Sequence, residues 1–258
     1  MKTKTVLATL VCSFVMALSA CGNNPKGTVF PIPPDADIKD LRFITDEEKT
    51  VDFSKATSIE DNNFRLAHGY SNNGVFNCNW SRDAAKLEDN VLKLSVFKGN
   101  ERYYGAEYRA RRNEFSYGYY ATKMKASNCP GIVSSFFTYV GYPAWHEIDI
   151  EFLGKNTRQV QFNYFYDGIG DHDFLYNLWF DAAEDFHEYG FEWLEDSITW
   201  YIDGYKVYQA TESIPYHPQM LMMNVWNTIG RDDWTGALDD NKLPTCAQYQ
   251  WIAYIPAN

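Results

Sequence analysis

Cysteine is scarce in this chain, and none of it is spaced to hold a metal. The 258 residues contain five cysteines, with no C-x-x-C pair and no Cys/His spacing typical of zinc sites. The five histidines show no ligand spacing either. The sequence also lacks H-E-x-x-H, G-x-S-x-G, P-loop and G-x-G-x-x-G motifs. We therefore expect no catalytic metal and none of the chemistries that these motifs carry.

Basic residues and long apolar runs are also in short supply. The chain has 23 Lys and Arg against 34 Asp and Glu, a formal net charge of −11. Nucleic acids and anionic membranes bind through basic patches, so we expect no nucleic-acid partner. After the N-terminal leader no segment is long and apolar enough to span a bilayer, and no stretch keeps an amphipathic helical period over three turns.

The N-terminus reads as a processing signal. Residues 1–20 contain Lys2 and Lys4 and then an apolar run that is too short to span a bilayer comfortably. The letters LSAC, which end at Cys21, look like a bacterial lipobox; this implies cleavage before Cys21 and a lipid on its sulfur. The alternative is an ordinary signal peptide with an incidental cysteine. We expect an exported, membrane-anchored lipoprotein on the outer membrane or cell surface.

The rest of the chain divides into a linker and one domain. Residues 21–50 contain four prolines and many polar residues, which predicts a lipidated tether. Residues 51–258 are long enough for one all-β domain. Export would permit one disulfide among Cys78, Cys129 and Cys246, and the sequence leaves all three pairings open.

Aromatic residues are plentiful and occur in short runs. There are 8 Trp, 19 Tyr and 17 Phe, in runs such as VLKLSVF (91–97) and GIVSSFFTYVG (131–141) that turn residues separate. Turns at Leu194–Ser197 and at Asp203-Gly204 predict two tight hairpins. Many short strands at this spacing predict an all-β fold, an antiparallel sandwich.

One strand, WHEIDIEFLG (145–154), places three like charges at every second position. Alternate side chains of a strand share a face, so Glu147, Asp149 and Glu151 point one way while Ile148 and Ile150 point the other. The isoleucines favour the core between the sheets. We therefore expect the carboxylates on the opposite face, within reach of solvent.

Crowded carboxylates have a chemical use. Like charges resist joint ionisation, so at least one pKa is expected to rise. One protonated carboxyl beside one ionised carboxylate is what glycoside hydrolysis requires, with a carboxyl separation near 5–5.5 Å in retaining enzymes. The alternative is a solvated strand face. The aromatic surroundings and the lack of a nearby cation favour the catalytic interpretation.

Longer segments resemble a known family. WHEIDIEFLG, GYSNNGVFNCNW, QVQFNYFYDGIGDH, ITWYIDG and MMNVWNTIGRDDWTG are similar to glycoside hydrolase family 16, from about Tyr70 to the C-terminus, and most closely to bacterial lichenases, the endo-β-1,3-1,4-glucanases. The resemblance implies a β-jelly-roll sandwich with a concave glucan cleft. Laminarinase-like members usually have E-I-D-x-M-E, whose extra residue bulges the strand. The regular strand here favours the lichenase or xyloglucan-active branches.

The resemblance also implies roles for residues. Glu147 would be the nucleophile, Glu151 the general acid/base, and Asp149 the residue that tunes their protonation. For the aromatic positions core packing is the alternative, and Trp145 and Trp226 are favoured for stacking on sugar. The implied substrate-binding positions are Tyr70, Asn72, Phe76, Glu107, Arg109, Phe137, Tyr139, Trp145, Asn163, Asn224, Trp226 and Trp234.

Three positions depart from the family. The lichenases' disulfide partner of Cys78 falls near Gly105, so that bridge cannot form. A cleft tyrosine of the family is Phe165 here. A structural calcium site uses a position near Gln250 that is often Asp, and the amide weighs against calcium. Catalysis needs no cofactor in this family.

Together these observations predict a retaining endo-glucanase, expected to be a monomer, acting on mixed-linkage β-glucan. An endo-β-1,3-glucanase or a xyloglucanase of the same fold is one alternative. A non-catalytic glycan-binding surface lipoprotein is another; such a binder would need the aromatic residues but not all three carboxylates.

Overall fold

The computed structural model describes residues 26–30 and 41–258. Within these ranges the chain forms seventeen β-strands, one short α-helix and two 3-10 turns. The strands are β1 Thr28–Val29, β2 Lys49–Asp52, β3 Phe64–Leu66, β4 Cys78–Trp80, β5 Ala85–Glu88, β6 Val91–Lys98, β7 Tyr103–Ala110, β8 Gly118–Lys125, β9 Ile132–Val140, β10 His146–Leu153, β11 Gln159–Phe165, β12 Phe174–Asn177, β13 His187–Trp193, β14 Ile198–Ile202, β15 Tyr205–Ala210, β16 Met220–Asn227 and β17 Thr245–Pro256. The helix α1 is Asp232–Thr235, and the 3-10 turns are Arg82–Ala84 and Asp240–Lys242.

Seven strands form the sheet that carries the carboxylates, here called the front sheet. Its order is β12-β11-β10-β9-β16-β7-β3, with antiparallel pairing throughout. The carboxylate strand is β10, between β9 and β11. Its register with β9 runs from His146 to Leu153 without a shift. The predicted regular strand is therefore confirmed, and no bulge re-aims the carboxylates.

The second layer, here called the back sheet, has the order β1-β15-β14-β13-β8-β17, and the far edge of β17 pairs with both β6 and β2. The predicted hairpins lie in this sheet. Leu194 N donates to Ser197 O at 2.8 Å between β13 and β14. Asp203 and Gly204, between β14 and β15, have φ of 47° and 79°. Two consecutive left-handed residues are what a type I′ hairpin requires. The hydrogen bond at Leu194–Ser197 and the left-handed pair at Asp203-Gly204 thus confirm the two predicted turns.

The side chains between the two sheets determine which way β10 faces. Ile148, Ile150 and Phe152 are fully buried against the back sheet. Trp200 of β14 packs there too, and its indole Nε1 donates to the Asp149 carbonyl at 3.1 Å. Burying each such side chain contributes about 1.5–3 kcal/mol. Because successive residues alternate, this burial turns the carboxylates away from the core.

The N-terminal segment contacts the back sheet. β1 pairs with β15 and covers its edge, which would otherwise offer unpaired backbone groups. Arg42 lies 3.8 Å from the Tyr119 ring centroid and forms a 3.0 Å ion pair with Glu192. The predicted boundary between residues 50 and 51 falls inside β2, so the end of the predicted tether contributes a strand to the domain. The predicted signal peptide 1–20 and the lipidation site Cys21 lie outside the described residues.

Cys78, Cys129 and Cys246 are free thiols. Cys78 lies beside Gly105: a Cβ added to that glycine would be 2.7 Å from the Cys78 Sγ. Position 105 is thus adjacent to Cys78, as the family's bridge would require, but it offers no second sulfur. Burial raises the pKa of the Cys78 thiol to about 12, which leaves it unreactive at neutral pH. In the described ranges, none of the helices has the length and apolar character needed to cross a bilayer.

Candidate active site

The pairing of β10 with its two neighbouring strands brings the site residues together. Glu147 lies opposite Tyr139 and Phe165, Asp149 opposite Phe137 and Asn163, and Glu151 opposite Ser135 and Gln161. Directly opposed side chains in neighbouring antiparallel strands share a face. These rows of opposed side chains continue across the sheet. Phe137 lies opposite Met222 of β16, which lies opposite Arg109 of β7. Ser135 lies opposite Asn224 of β16, which lies opposite Glu107 of β7. The binding face therefore runs across the strands rather than along them.

Most of the predicted residues come together on this face or its borders. Glu147 and Asp149 are 7% and 5% exposed, which is more buried than the expected solvent-reached face. The strands of the front sheet and the loops and helix at its rim carry the predicted positions: Phe137 and Tyr139 on β9, Asn163 on β11, Asn224 and Trp226 on β16, Glu107 and Arg109 on β7, Tyr70, Asn72, Phe76 and Trp145 in loops, and Trp234 in α1.

Polar side chains form a continuous chain beside the catalytic strand. Ser135 Oγ donates to Asn224 Oδ1 at 2.5 Å, and Asn224 also bonds to Glu107. Arg109 Nη1 donates to Glu107 Oε1 at 3.2 Å and to the Tyr70 hydroxyl at 3.3 Å. The guanidinium offsets part of the rise that burial causes in the Glu107 pKa. Alternating donors and acceptors of this kind suit the hydroxyl groups of a sugar chain.

The tryptophans differ in what they can offer a ligand. Trp226 is 2% exposed, with Phe76 stacked on it at 3.8 Å and Trp234 at 6.0 Å. Its ring therefore serves to pack the cleft wall, and the structure favours packing over the predicted stacking at this position. Trp145 is partly exposed, has a left-handed φ of 41°, and lies nearly parallel to Phe165 at 6.0 Å. It stays the better candidate for stacking on sugar.

Two other predicted binding residues already have protein partners. The Asn72 Oδ1 accepts a hydrogen bond from the Trp80 indole at 3.0 Å. The Asn163 Oδ1 accepts one from the Tyr164 N–H at 2.9 Å. Each amide keeps its NH₂ group as a donor for a substrate hydroxyl.

The environment of the carboxylates separates their roles. Burial, followed by repulsion from Glu151, raises the pKa of Glu147. Burial and both glutamates raise the pKa of Asp149. A hydrogen bond between Glu147 and Asp149 lowers the Glu147 pKa and raises the Asp149 pKa. These are the directions expected when a protonated Asp149 donates to Glu147, so the contact favours ionisation of Glu147 over ionisation of Asp149.

Glu151 is kept as an acid. Burial of its carboxyl, followed by repulsion from Asp173, raises its pKa to about 8. A carboxyl with this pKa holds its proton at neutral pH and can give it to a leaving group. Glu147 Oε2 has no hydrogen-bond partner among the described residues and is buried, so it is available to a reacting carbon. Two carboxyl groups in different environments thus lie on one strand face, as glycoside hydrolysis requires.

Three further residues of the site are not among those predicted from the sequence: Ser135, Gln161 and Asp173. Gln161 lies opposite Glu151. The alternation in QVQFN could have predicted its place in the site, because Gln161 is two positions before Asn163 and therefore shares its strand face. Asp173 lies in the loop before β12, and nothing local links it to Glu151. No group of three or more His, Cys, Asp or Glu side chains in residues 26–30 and 41–258 is arranged to hold a metal ion.

The raised pKa of Glu151 predicts the alkaline limb of the activity profile. The acid must be protonated, so kcat/KM for glucan should be full at neutral pH and decline as the pH rises through about 8. The acid limb of the same kcat/KM profile should follow protonation of Glu147.

Asp149→Asn should shift and flatten this profile because the group that couples the two glutamates no longer titrates. Initial rates between pH 4 and pH 10 would check this, and an unchanged profile in the variant would contradict the role of Asp149.

Paired carboxyl groups on a strand face lined with polar and aromatic side chains are typical of a glycoside hydrolase. The family model for glycosyl hydrolases family 16 matches residues 72–251, and the chain belongs to this family. The jelly-roll fold of the family agrees with the two-layer sandwich described above.

The relatives agree with this assignment. A β-glucanase of Brevibacillus brevis is 41% identical over 214 residues, which cover 80% of this chain and 82% of that protein. A β-glucanase of Acetivibrio thermocellus is 46% identical over 194 residues, 72% of this chain, and the match spans only 57% of that longer protein. A crystal structure of a β-1,3-1,4-glucanase (lichenase) from a mouse hindgut metagenome is 45% identical, covers 80% of this chain and 98% of its own, and superimposes with a TM-score of 0.75.

Proposed function

We propose that the protein is a retaining endo-glucanase that hydrolyses mixed-linkage β-1,3-1,4-glucan. The observation that carries this proposal is the regular β10, which places Glu147, Asp149 and Glu151 on one face and holds the pKa of Glu151 at about 8. The likeness to a lichenase over most of the chain supports the choice of substrate within the family. Polar groups extend from β10 as far as β7 on one side and to β11 on the other, so sugar units can bind on both sides of an internal bond.

The proposed reaction is a double displacement. The Glu147 carboxylate attacks the anomeric carbon while Glu151 donates its proton to the departing glycosidic oxygen, and a covalent glycosyl-enzyme forms. Glu151, now ionised, takes a proton from water, whose oxygen attacks the same carbon and releases Glu147. Asp149 donates to Glu147 when that group is ionised, which stabilises the nucleophile before attack and after release. Each carboxyl returns to its starting protonation state.

A comparison of polysaccharides tests the substrate. We expect strong activity on barley β-glucan, little on laminarin and none on carboxymethyl-cellulose, measured as reducing ends per enzyme with the products analysed. Faster cleavage of laminarin than of the mixed-linkage polymer would replace the proposal by an endo-β-1,3-glucanase. Faster cleavage of xyloglucan would indicate a xyloglucanase. Binding of barley β-glucan without release of products would indicate a glycan-binding protein.

Export and a lipid anchor at Cys21 belong to the same proposal, with the protein acting as a monomer on polysaccharide at the cell surface. The leader sequence and the LSAC letters support it. Membrane association of the wild type that Cys21→Ala abolishes would be the expected result of cell fractionation. Equal release of both proteins would contradict the anchor without affecting the catalytic assignment.

A further inference from the structure

Gln161 occupies a position between a fixed donor and the proposed acid. It lies directly opposite Glu151 in the pairing of β10 with β11, and its side chain is 4% exposed. Its Oε1 accepts a hydrogen bond from the Trp234 indole Nε1 at 2.9 Å. Its Nε2 lies 3.5 Å from Glu151 Oε2, with donor geometry. A buried side chain therefore joins α1 to the catalytic strand.

The chemistry of the indole determines how the amide is turned. An indole N–H can only donate, so the Gln161 oxygen must face Trp234 and its NH₂ group must face Glu151. Turning the amide over would set two donors against each other in a buried site. Trp234 cannot easily move away, because it is 3% exposed and packs against Trp226 at 6.0 Å. Gln161 is thus a donor with a fixed direction.

We propose that Gln161 is a positioning residue, which confines the acidic proton of Glu151 to Oε1, and that Trp234 acts through Gln161. This proposal rests on the proposed function. The carbonyl oxygen of a carboxylic acid is a better acceptor than its hydroxyl oxygen, so the hydrogen bond from Gln161 Nε2 to Oε2 favours Oε1 as the protonated oxygen. That oxygen is then presented to the glycosidic bond. After proton transfer the same N–H stabilises the ionised Glu151, which next acts as base.

Two variants separate this role from simple packing. Gln161→Leu removes the amide, and Trp234→Phe keeps an aromatic ring in the wall but loses the N–H that orients the amide. For Gln161→Leu we expect kcat/KM on barley β-glucan to fall about tenfold, a part of the roughly 10²–10⁴-fold that a general acid supplies. Trp234→Phe should show a smaller loss in the same direction. Gln159→Leu is the matched control, since Gln159 bonds to Asn156 and Asn177 instead.

The leaving group provides the decisive comparison. A 2,4-dinitrophenyl glycoside of a glucan oligosaccharide departs without protonation, so its kcat/KM should stay within about twofold of the wild type in Gln161→Leu. The alkaline limb on glucan should move to higher pH, because the ionised Glu151 has lost a donor. Equal losses on both substrates, or an unmoved limb, would overturn the proposal and make Gln161 a packing or sugar-binding residue.

A measurement without substrate tests the role of Gln161 independently of the proposed glucanase activity. The Glu151 carboxyl pKa, followed by ¹³C NMR, should rise in Gln161→Leu relative to the wild type and to Gln159→Leu. An equal pKa in all three would overturn the positioning role even in an active enzyme. A raised pKa in a protein that cleaves no glucan would sustain the contact and reject the glucanase.

Discussion

Glu147→Gln is expected to abolish glucan hydrolysis while leaving the fold and glucan binding intact. The amide keeps the shape of the side chain but cannot attack the anomeric carbon, so kcat should fall by about 10⁴-fold or more. Reducing-end assays would measure the loss, and calorimetry with a mixed-linkage oligosaccharide would measure binding. Glu114→Gln is the matched control because Glu114 is an exposed glutamate outside the site.

The thermal stability of Glu147→Gln should equal or exceed that of the wild type at neutral pH. The folded-state pKa of Glu147 is raised, so the folded protein holds this proton more tightly than the unfolded chain does. Ionisation of Glu147 therefore costs stability as the pH rises above the pKa that the group has in the unfolded chain, and the amide removes that cost.

Azide should rescue Glu147→Ala and give an α-glycosyl azide. Substantial residual hydrolysis by Glu147→Gln would remove Glu147 as the nucleophile.

Trp200→Ala is expected to produce a large loss of stability. The ring is fully buried between the sheets, with the Phe162 and Tyr208 rings 5.5 Å and 5.3 Å away, and its Nε1 donates to the Asp149 carbonyl. Truncation leaves a cavity and removes a donor beneath the catalytic strand, which costs about 3–5 kcal/mol. A domain of this size should then unfold at a temperature roughly 10 °C lower. Urea unfolding followed by fluorescence and circular dichroism would measure the change.

Trp200→Phe separates the cavity from the hydrogen bond. It keeps an aromatic ring in the core and should cost only about 1–2 kcal/mol, through the lost donor and a smaller ring. Its activity should fall more than its stability suggests if the Asp149 carbonyl helps to set the position of β10. A Trp200→Ala protein that unfolds at the urea concentration of the wild type would show that this core does not hold the catalytic strand.

The sequence by itself determined the features that depend on neighbours along the chain. Alternation in EIDIE assigned Ile148 to the core and Glu147 to the opposite face, because a strand has a period of two. The turn at Asp203-Gly204 followed from the residues that tolerate left-handed φ. The long similar segments identified the family and, through it, implied roles for the carboxylates.

Only the tertiary structure decided what lies across from each strand. Gln161 meets Glu151, and Asn224 meets Glu107, through the order and register of strands that are far apart in sequence. Long-range packing also buried Trp226, which the family resemblance favours for stacking on sugar. The pKa of Glu151 depends on burial and on the charge of Asp173 from another loop. Strand alternation is a local property of the backbone, whereas these contacts depend on how separate segments meet.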